Sequence, residues 1–173
     1  MHIQLLPAEA KDRIIVNNMA HFYAYDMSKY CGFLPGWEIP EDGFYKGRDY
    51  SIYWSEAKRY PFIIRVDEEL AGFVLVNKIG TTSEVDWNMG EFFVMGKFQG
   101  KRIGASIARQ VFDQFPGMWE VMCIPENRGA KVFWKKVIDK YTQGDYQESV
   151  KECIPPKPST MWVWRFRSRS RGQ

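Results

Sequence analysis

The chain has 173 residues, close to the usual size of one domain, and 45% of them are hydrophobic, which is enough for a sizeable core. No apolar run reaches the roughly 20 residues of a membrane span, and the first residues lack the pattern of a signal peptide. The net charge is only +3, so we expect no nucleic-acid partner, and we expect no membrane partner either. The three cysteines and two histidines lack metal-ligand spacing, so we expect no metal site and reduced thiols in the cytoplasm.

The first half of the chain predicts a strand and two helices. Residues 2–6 are typical of a strand, which Pro7 ends. From Ala8 to about Met27, apolar residues recur at helical spacing. The members of this stripe are Ile14, Ile15, Met19, Phe22 and Tyr23. Residues 31–47 hold glycine, proline and aromatic residues without a period and indicate a loop, and a shorter helix is expected from Tyr50 to Lys58.

Strand patterns occupy the middle of the chain. Residues 62–66 and 71–76 are rich in β-branched and aromatic residues and surround the turn Asp67–Glu69, which predicts an antiparallel hairpin. A longer strand is expected from about Glu84 to Met95. Its last residues, Phe92–Met95, form an apolar run that precedes a basic, glycine-containing loop.

That loop joins the strand to a helix. Ile103, Ile107, Val111 and Phe115 recur every four residues and predict one buried helix face. Backbone N–H groups at a helix start are unpaired, the helix dipole is positive there, and glycine permits close approach of an anion. A strand, a glycine-rich basic loop and a helix in this order therefore favour phosphate binding.

The second half predicts two further strands and a last helix. A strand over residues 118–124 follows the glycine-loop helix, so it lies parallel to the strand that ends at Met95. Asn127 is a suitable N-cap for a helix that runs to about Lys140. Strands are expected at residues 146–154 and 160–167.

The proline-rich stretch Pro155–Pro158 would join these last two strands. The element order is β-α-α-β-β-β-α-β-α-β-β, which predicts a single α/β domain over residues 1–173 with a mixed sheet. Arginines alternate with other residues from Arg165 to Arg171. A solvated last strand and chain end is the expectation, and nucleic-acid or membrane contact is the alternative.

The loop sequence distinguishes between nucleotide-binding families. The G-x-x-x-x-G-K-[ST] and G-x-G-x-x-G patterns are both absent. The window Gln99–Gly104 is similar to the pattern [QR]-x-x-G-x-[GA], with Gln99 and Gly104 matching and Arg102 at the usual inner glycine. Asn127 and Ala130 follow the next strand at the spacing of the same family. With these motifs the chain resembles the GNAT superfamily of acetyl-CoA-dependent N-acyltransferases.

The resemblance implies a mixed sheet of about seven strands flanked by about four helices, with two central parallel strands splayed apart. Acetyl-CoA would lie in the gap as co-substrate, with its pyrophosphate on the amides of residues 99–105 and its pantetheine arm along Phe93–Met95. The cofactor-binding residues implied are Phe93, Val94, Met95, Lys97, Gln99, Gly100, Lys101, Arg102, Ile103, Gly104, Ala105, Asn127, Ala130 and Phe133.

Direct acetyl transfer to an amine requires a base, an oxyanion donor and an acid. Glu91 is the first candidate base, because burial beside an apolar run raises a carboxyl pKa, and a structural salt bridge is its alternative role. Asp86 is the second candidate. A backbone N–H near Val94 would be the oxyanion donor. The family's usual acid is a tyrosine seven residues after the asparagine, but Trp134 stands there, so Tyr141 or water is left as the acid.

The family builds its acceptor pocket from the region of the first helix and the loop after it. The substrate-binding candidates in that region are Tyr23, Asp26, Tyr30 and Trp37. Aromatic and acidic side chains suit a cationic amine, although ordinary aromatic packing also accounts for each residue taken singly. The expected function is N-acetylation of a small-molecule or protein amine, the alternative is an acetyl-CoA-binding sensor without turnover, and a homodimer is possible in either case.

Overall fold

The computed structural model describes residues 1–153 and 159–168. Within these ranges the chain forms seven strands and four helices in the predicted order. They are β1 Ile3–Pro7, α1 Arg13–Cys31, α2 Ile52–Ser55, β2 Arg59–Val66, β3 Glu69–Asn77, β4 Trp87–Val94, α3 Ile103–Gln114, β5 Gly117–Cys123, α4 Arg128–Thr142, β6 Gln147–Cys153 and β7 Ser159–Ser168. The proline-rich stretch Pro155–Pro158 and the last arginines, Arg169 and Arg171, lie outside the described residues.

The strands form one mixed sheet in the order β1-β2-β3-β4-β5-β7-β6. The β1–β2 and β5–β7 pairs are antiparallel, with Ile3 opposite Val66 and Gly117 opposite Ser168. β4 and β5 are parallel, with Trp87 opposite Trp119. Parallel neighbours need a crossover connection, and α3 supplies it. The predicted mixed sheet with a central parallel pair is confirmed.

The chain divides into two compact units. The first contains Met1–Leu75 and Glu91–Lys101, and the second contains Val76–Gly90 and the chain from Arg102 onward, so β3 and β4 contribute residues to both. In the first unit, α1 packs through Val16, Met19 and Ala20 in a core that includes Phe73 and Phe93.

The predicted apolar stripe of α1 is wrong in part. Ile14 and Phe22 are exposed, with relative exposures of 61% and 56%, whereas Val16 and Ala20 are buried. Residues three and four apart share a helix face, and Val16, Met19, Ala20 and Tyr23 satisfy that spacing as well as the predicted set does. Burial therefore follows the face with the smaller side chains Val16 and Ala20, which let the helix approach the core closely.

The second unit has its own aromatic core. Ile103, Ile107 and Val111 of α3 have no exposed surface, which confirms the predicted stripe. The ring of Phe112 lies 5.1 Å from that of Trp119 on β5 and 4.9 Å from that of Phe166 on β7. Among the described residues, no helix is long and apolar enough to cross a lipid bilayer.

Candidate active site

Glu91, near the end of β4, lies in a cluster of tyrosines within the first unit. The Tyr23 hydroxyl donates a hydrogen bond of 2.9 Å to Glu91 Oε2. The Tyr50 hydroxyl is also hydrogen-bonded to this carboxylate. Burial is the largest influence on the carboxyl and raises the pKa of Glu91, while the two hydroxyls and the charge of Arg48 oppose that rise. A raised pKa strengthens a carboxylate as a proton acceptor, which makes Glu91 a candidate for that role.

The two tyrosines are held as hydrogen-bond donors. Burial, followed by the nearby Glu91 charge, raises the pKa of Tyr23 and of Tyr50 well above the ordinary tyrosine value, so both hydroxyls stay protonated. The Tyr23 ring lies 5.4 Å from the Phe93 ring and 6.0 Å from the Phe73 ring. Ring packing of this kind limits rotation of the tyrosine and keeps its hydroxyl directed at Glu91.

The segment that carries Arg48 is anchored on α1 within the same unit. The Gly47 backbone N–H donates a 2.8 Å hydrogen bond to His21 Nδ1. A Cβ atom on Gly47 would lie 2.6 Å from the Ala20 carbonyl oxygen, so only glycine permits this approach of segment to helix. The anchored segment holds Arg48 beside the Glu91 cluster.

A pocket of about 350 Å³ opens along this segment and α1. Its walls include Ala24 of α1, the aromatic residues Trp37 and Tyr45, and the charged residues Lys46 and Arg48. The Tyr45 hydroxyl donates a 2.8 Å hydrogen bond to the Trp37 carbonyl, which ties the two ends of the segment together. This volume is suitable for a small organic molecule.

The end of β4 offers backbone groups to a ligand. The Met95 N–H donates to the Ala71 carbonyl of β3 at 2.9 Å. Because successive residues of a strand direct their backbone groups to opposite edges, those of Val94 face away from β3. The Val94 carbonyl accepts a 2.8 Å hydrogen bond from Gln99 Nε2, which fixes the loop to the strand. Within the described residues, the parallel ladder with β5 pairs only Trp87 and Asn88 and does not include Val94.

The loop between β4 and α3 takes two left-handed backbone positions. Gly100 has φ +75° and Arg102 has φ +63°. The left-handed region costs a non-glycine residue about 1–2 kcal/mol, which accounts physically for the glycine usual at the Arg102 position. Arg102 is the N-cap of α3 and makes no side-chain cap bond, so the amides at the helix start are left for an anion. Space is open around Gly100. Pyrophosphate binding at this loop stays a prediction, and the open space and the uncapped amides are compatible with it.

The other predicted cofactor-binding residues lie at α4, in the loop after β4, or in the first turn of α3. Asn127 caps α4 by accepting a 2.9 Å hydrogen bond from the Ala130 N–H, which confirms the predicted cap. Phe133 packs on Trp134 with ring centroids 4.9 Å apart. Lys97 forms a 2.6 Å ion pair with Glu69, both largely exposed. The remaining predicted residues lie in the loop or in the first turn of α3. They are Lys101, Ile103, Gly104 and Ala105.

Two predicted catalytic residues have structural partners in the second unit. Asp86 is exposed and accepts a 2.8 Å hydrogen bond from the Met118 N–H, joining the start of β4 to β5. Tyr141 donates a 3.0 Å hydrogen bond to Asp113 at the end of α3. With a rise of 1.5 Å per residue, Tyr141 is about 20 Å along α4 from Asn127, so the structure does not bring these two residues together.

Two predicted acceptor residues do not line the pocket. Asp26 is paired with Lys29 at 3.5 Å on the outer face of α1. Lys29 also lies 6.0 Å from the centre of the Tyr30 ring. Of the four predicted residues, Trp37 is in the pocket wall and Tyr23 is bonded to Glu91.

Sequence reasoning missed Tyr50, Arg48 and His21. Tyr50 was expected only as the start of a helix, and the loop 31–47 was expected to end just before Arg48. Their roles depend on contacts with α1 and β4, which are distant along the chain. The glycine at 47 is the one local signal, since a glycine in a loop can mark a close backbone approach.

Comparisons with known proteins bear on the family and the fold. The sequence profile of the Acetyltransferase (GNAT) family matches residues 27–138. No curated protein sequence matches the chain.

Several solved structures share the fold. An acetyltransferase from Thermus thermophilus superposes with a TM-score of 0.66 at 15% identity, over 96% of this chain and 98% of that chain. The ribosomal-protein-S18-alanine N-acetyltransferase from Escherichia coli gives 0.58 at 8% identity, over 99% and 97%. A GNAT family acetyltransferase from Elizabethkingia anophelis with acetyl-CoA bound gives 0.57 at 10% identity, over 95% and 97%. The family profile covers more than half of the sequence, and the chain belongs to the GNAT acetyltransferase family.

Proposed function

We propose that this protein is an N-acetyltransferase that moves an acetyl group directly from acetyl-CoA to an amine, with Glu91 as general base. The observation that carries the proposal is the half-buried Glu91 carboxyl, on the strand that leads into the loop. It accepts hydrogen bonds from two tyrosine hydroxyls, and its pKa is raised. Family membership and the neighbour with acetyl-CoA bound support acetyl-CoA as the co-substrate.

The loop and the strand end would hold the co-substrate. When bound, acetyl-CoA supplies the acetyl group as an activated thioester. The amides at the start of α3 and the open backbone at Gly100 suit its pyrophosphate, and the Val94 edge suits its pantetheine arm. The Val94 N–H is directed to the same edge and is the proposed oxyanion donor. Asn127 remains a predicted ligand.

Glu91 would take a proton from the acceptor ammonium, directly or through water. A carboxylate with an ordinary pKa is a weak base at neutral pH, whereas burial strengthens Glu91. Tyr23 and Tyr50 stabilise the ionised form and keep it oriented. The proton for the departing thiolate comes from water in this scheme, since Tyr141 is bonded to Asp113.

A second candidate function is acetyl-CoA binding without turnover, as a sensor. It is favoured by Trp134 at the position of the usual family acid and by the bond of Tyr141 to Asp113. Both functions require the loop, and only the enzyme requires Glu91 as a base.

A thiol-release assay with acetyl-CoA and a panel of amines tests the proposal, alongside calorimetric titration with CoA. Glu91→Gln is expected to lower kcat by about 10²- to 10⁴-fold, the usual contribution of a general base, and to leave the Kd for CoA unchanged. Asp86→Asn tests the second candidate base in the same assay. Glu84→Gln, which changes an exposed carboxylate, is the control. Full turnover in Glu91→Gln would refute its role, whereas CoA binding with no turnover on any amine would favour the sensor.

A further inference from the structure

The pocket along residues 36–48 carries an excess of positive charge. Lys46 and Arg48 line it together with one carboxylate, Glu38. Glu38 already accepts a 2.9 Å hydrogen bond from the Gly36 N–H. The apolar part of the wall comes from Trp37 and Tyr45, whose ring centroids are 6.4 Å apart. An aromatic wall with two cations is complementary to an organic anion.

Neither pocket cation has an ion-pair partner in the described part of the chain. Lys46 and Arg48 are both exposed. Four of the other cations of the unit are paired with carboxylates at 2.6–3.5 Å. These are Lys11, Lys29, Arg59 and Lys97. The pocket therefore holds two charges that a bound anion would neutralise.

The two pocket cations are close in sequence to a residue that contacts the proposed base. Arg48 is two residues before Tyr50, and the Tyr50 hydroxyl is bonded to Glu91. Gly47, between Lys46 and Arg48, is fixed on α1 by its bond to His21. The positions of the two cations are thus set by the anchored backbone, within the same unit as Glu91.

We propose that the acceptor is an amine that also carries an oxyanion group, a carboxylate or a phosphate, which Arg48 and Lys46 bind while the amine faces Glu91. This inference rests on the proposed acetyltransferase function, since it names the acceptor of that reaction. The sequence predicts an acceptor that is only cationic, because the predicted residues of this region are aromatic and acidic. The present inference adds an anionic group to that acceptor. Trp37 and Tyr45 would contact the carbon skeleton that joins the amine to the anion.

Matched pairs of amines that differ by the anionic group test this inference. The pairs are L-phenylalanine with 2-phenylethylamine, L-lysine with 1,5-diaminopentane, and O-phosphoethanolamine with ethanolamine. Binding is measured by calorimetry in the presence of CoA, and turnover by thiol release with acetyl-CoA. In the wild type the anionic member of at least one pair is expected to bind about five- to tenfold more tightly, the range for a partly solvated charge pair.

The variants Arg48→Gln and Lys46→Gln should remove that preference by weakening the binding of the anionic member. Lys11→Gln removes an equal charge elsewhere in the same unit and should preserve the preference. A preference in the carboxylate pairs alone would identify a carboxylate site, and one in the phosphate pair alone would identify a phosphate site.

Equal or tighter binding of the simple amines in every pair, or no binding by any member, would overturn the inference. Turnover of simple amines without an anion preference would overturn it and leave the proposed function standing. An anion preference in binding without any turnover would instead refute the acetyltransferase and leave the anion site in place.

Discussion

Two glutamates, the buried Glu120 and the half-buried Glu91, one in each compact unit, are compensated in different ways. Glu120 on β5 has no exposed surface and is paired with Arg165 at 2.9 Å. It also accepts hydrogen bonds from the Thr81 N–H and hydroxyl at 2.8 and 2.6 Å. Glu91 on β4 receives neutral hydroxyl donors, and within residues 1–153 and 159–168 it has no ion-pair partner.

The difference lies in the partner charge. Arg165 compensates Glu120 directly, as a buried ion requires. Glu91 has only hydrogen bonds and the more distant charge of Arg48, so burial prevails and raises its pKa. A buried carboxylate with incomplete compensation retains affinity for a proton, which is the property of a general base.

The largest expected effect is on stability, in the Glu120→Gln variant. The change leaves the Arg165 charge without its carboxylate, so we expect a loss of about 3 kcal/mol in the free energy of unfolding. This is the lower end of the range for a broken buried pair, because Arg165 keeps 19% of its side chain exposed. Urea unfolding at neutral pH measures it.

Glu91→Gln is the matched control for that measurement and should change the stability by less than about 1 kcal/mol. Because the pKa of Glu91 is higher in the folded than in the unfolded protein, the wild type loses stability as pH rises through that interval. The variant lacks this titration, so its stability relative to the wild type should increase from acid to neutral pH. Equal losses for both glutamine variants would contradict the distinction between the two carboxylates.

The next effect concerns the hydroxyl donors at Glu91. Tyr23→Phe removes a 2.9 Å hydrogen bond to the carboxylate, so the pKa of Glu91 should rise further and the acid limb of the kcat/KM profile should move to higher pH. We expect a loss of about 2 kcal/mol in stability at neutral pH, as for a hydrogen bond to a charged group. Tyr25→Phe, which changes a tyrosine that is 68% exposed, should alter neither quantity.

An effect of similar size is expected from the backbone that holds Arg48 near Glu91. Gly47→Ala places a methyl group against the Ala20 carbonyl and should cost about 1–3 kcal/mol, as for overpacking elsewhere. Gly129→Ala is the control, since the one atom within 4 Å of its added methyl group would be Asn127 Oδ1 at 3.6 Å. Thermal unfolding distinguishes them: a normal melting temperature for Gly47→Ala would mean that the segment is not anchored as the structure shows.

The smallest stability effect is expected for Arg48→Gln, because Arg48 is exposed; the change should remain below about 0.5 kcal/mol. Its charge lowers the pKa of Glu91, so removing it should move the acid limb of the activity profile to higher pH. Raising the ionic strength should produce part of the same displacement in the wild type and none in the variant. A profile unaffected by the variant would show that Arg48 does not act on Glu91.

Much of the fold could be predicted from local patterns. The α3 stripe, the Asn127 cap and the parallel relation of β4 and β5 follow from periodicity, capping chemistry and the crossover rule. The α1 face was wrong because two sets of residues satisfy the same helical period. Packing against Phe73 and Phe93 selects between them, and that choice has no local signal.

The sequence by itself determined the strand, loop and helix that suit acetyl-CoA, because turn preferences, apolar periods and unpaired helix amides are local properties of the chain. It named Glu91 as the first candidate base, but it did not show which side chains surround that carboxyl. Only the tertiary structure decided that Glu120 meets Arg165, whereas Glu91 meets Tyr23 and Tyr50. The proton affinity of a carboxyl depends on burial and on the charges around it, and segments distant in the chain supply both.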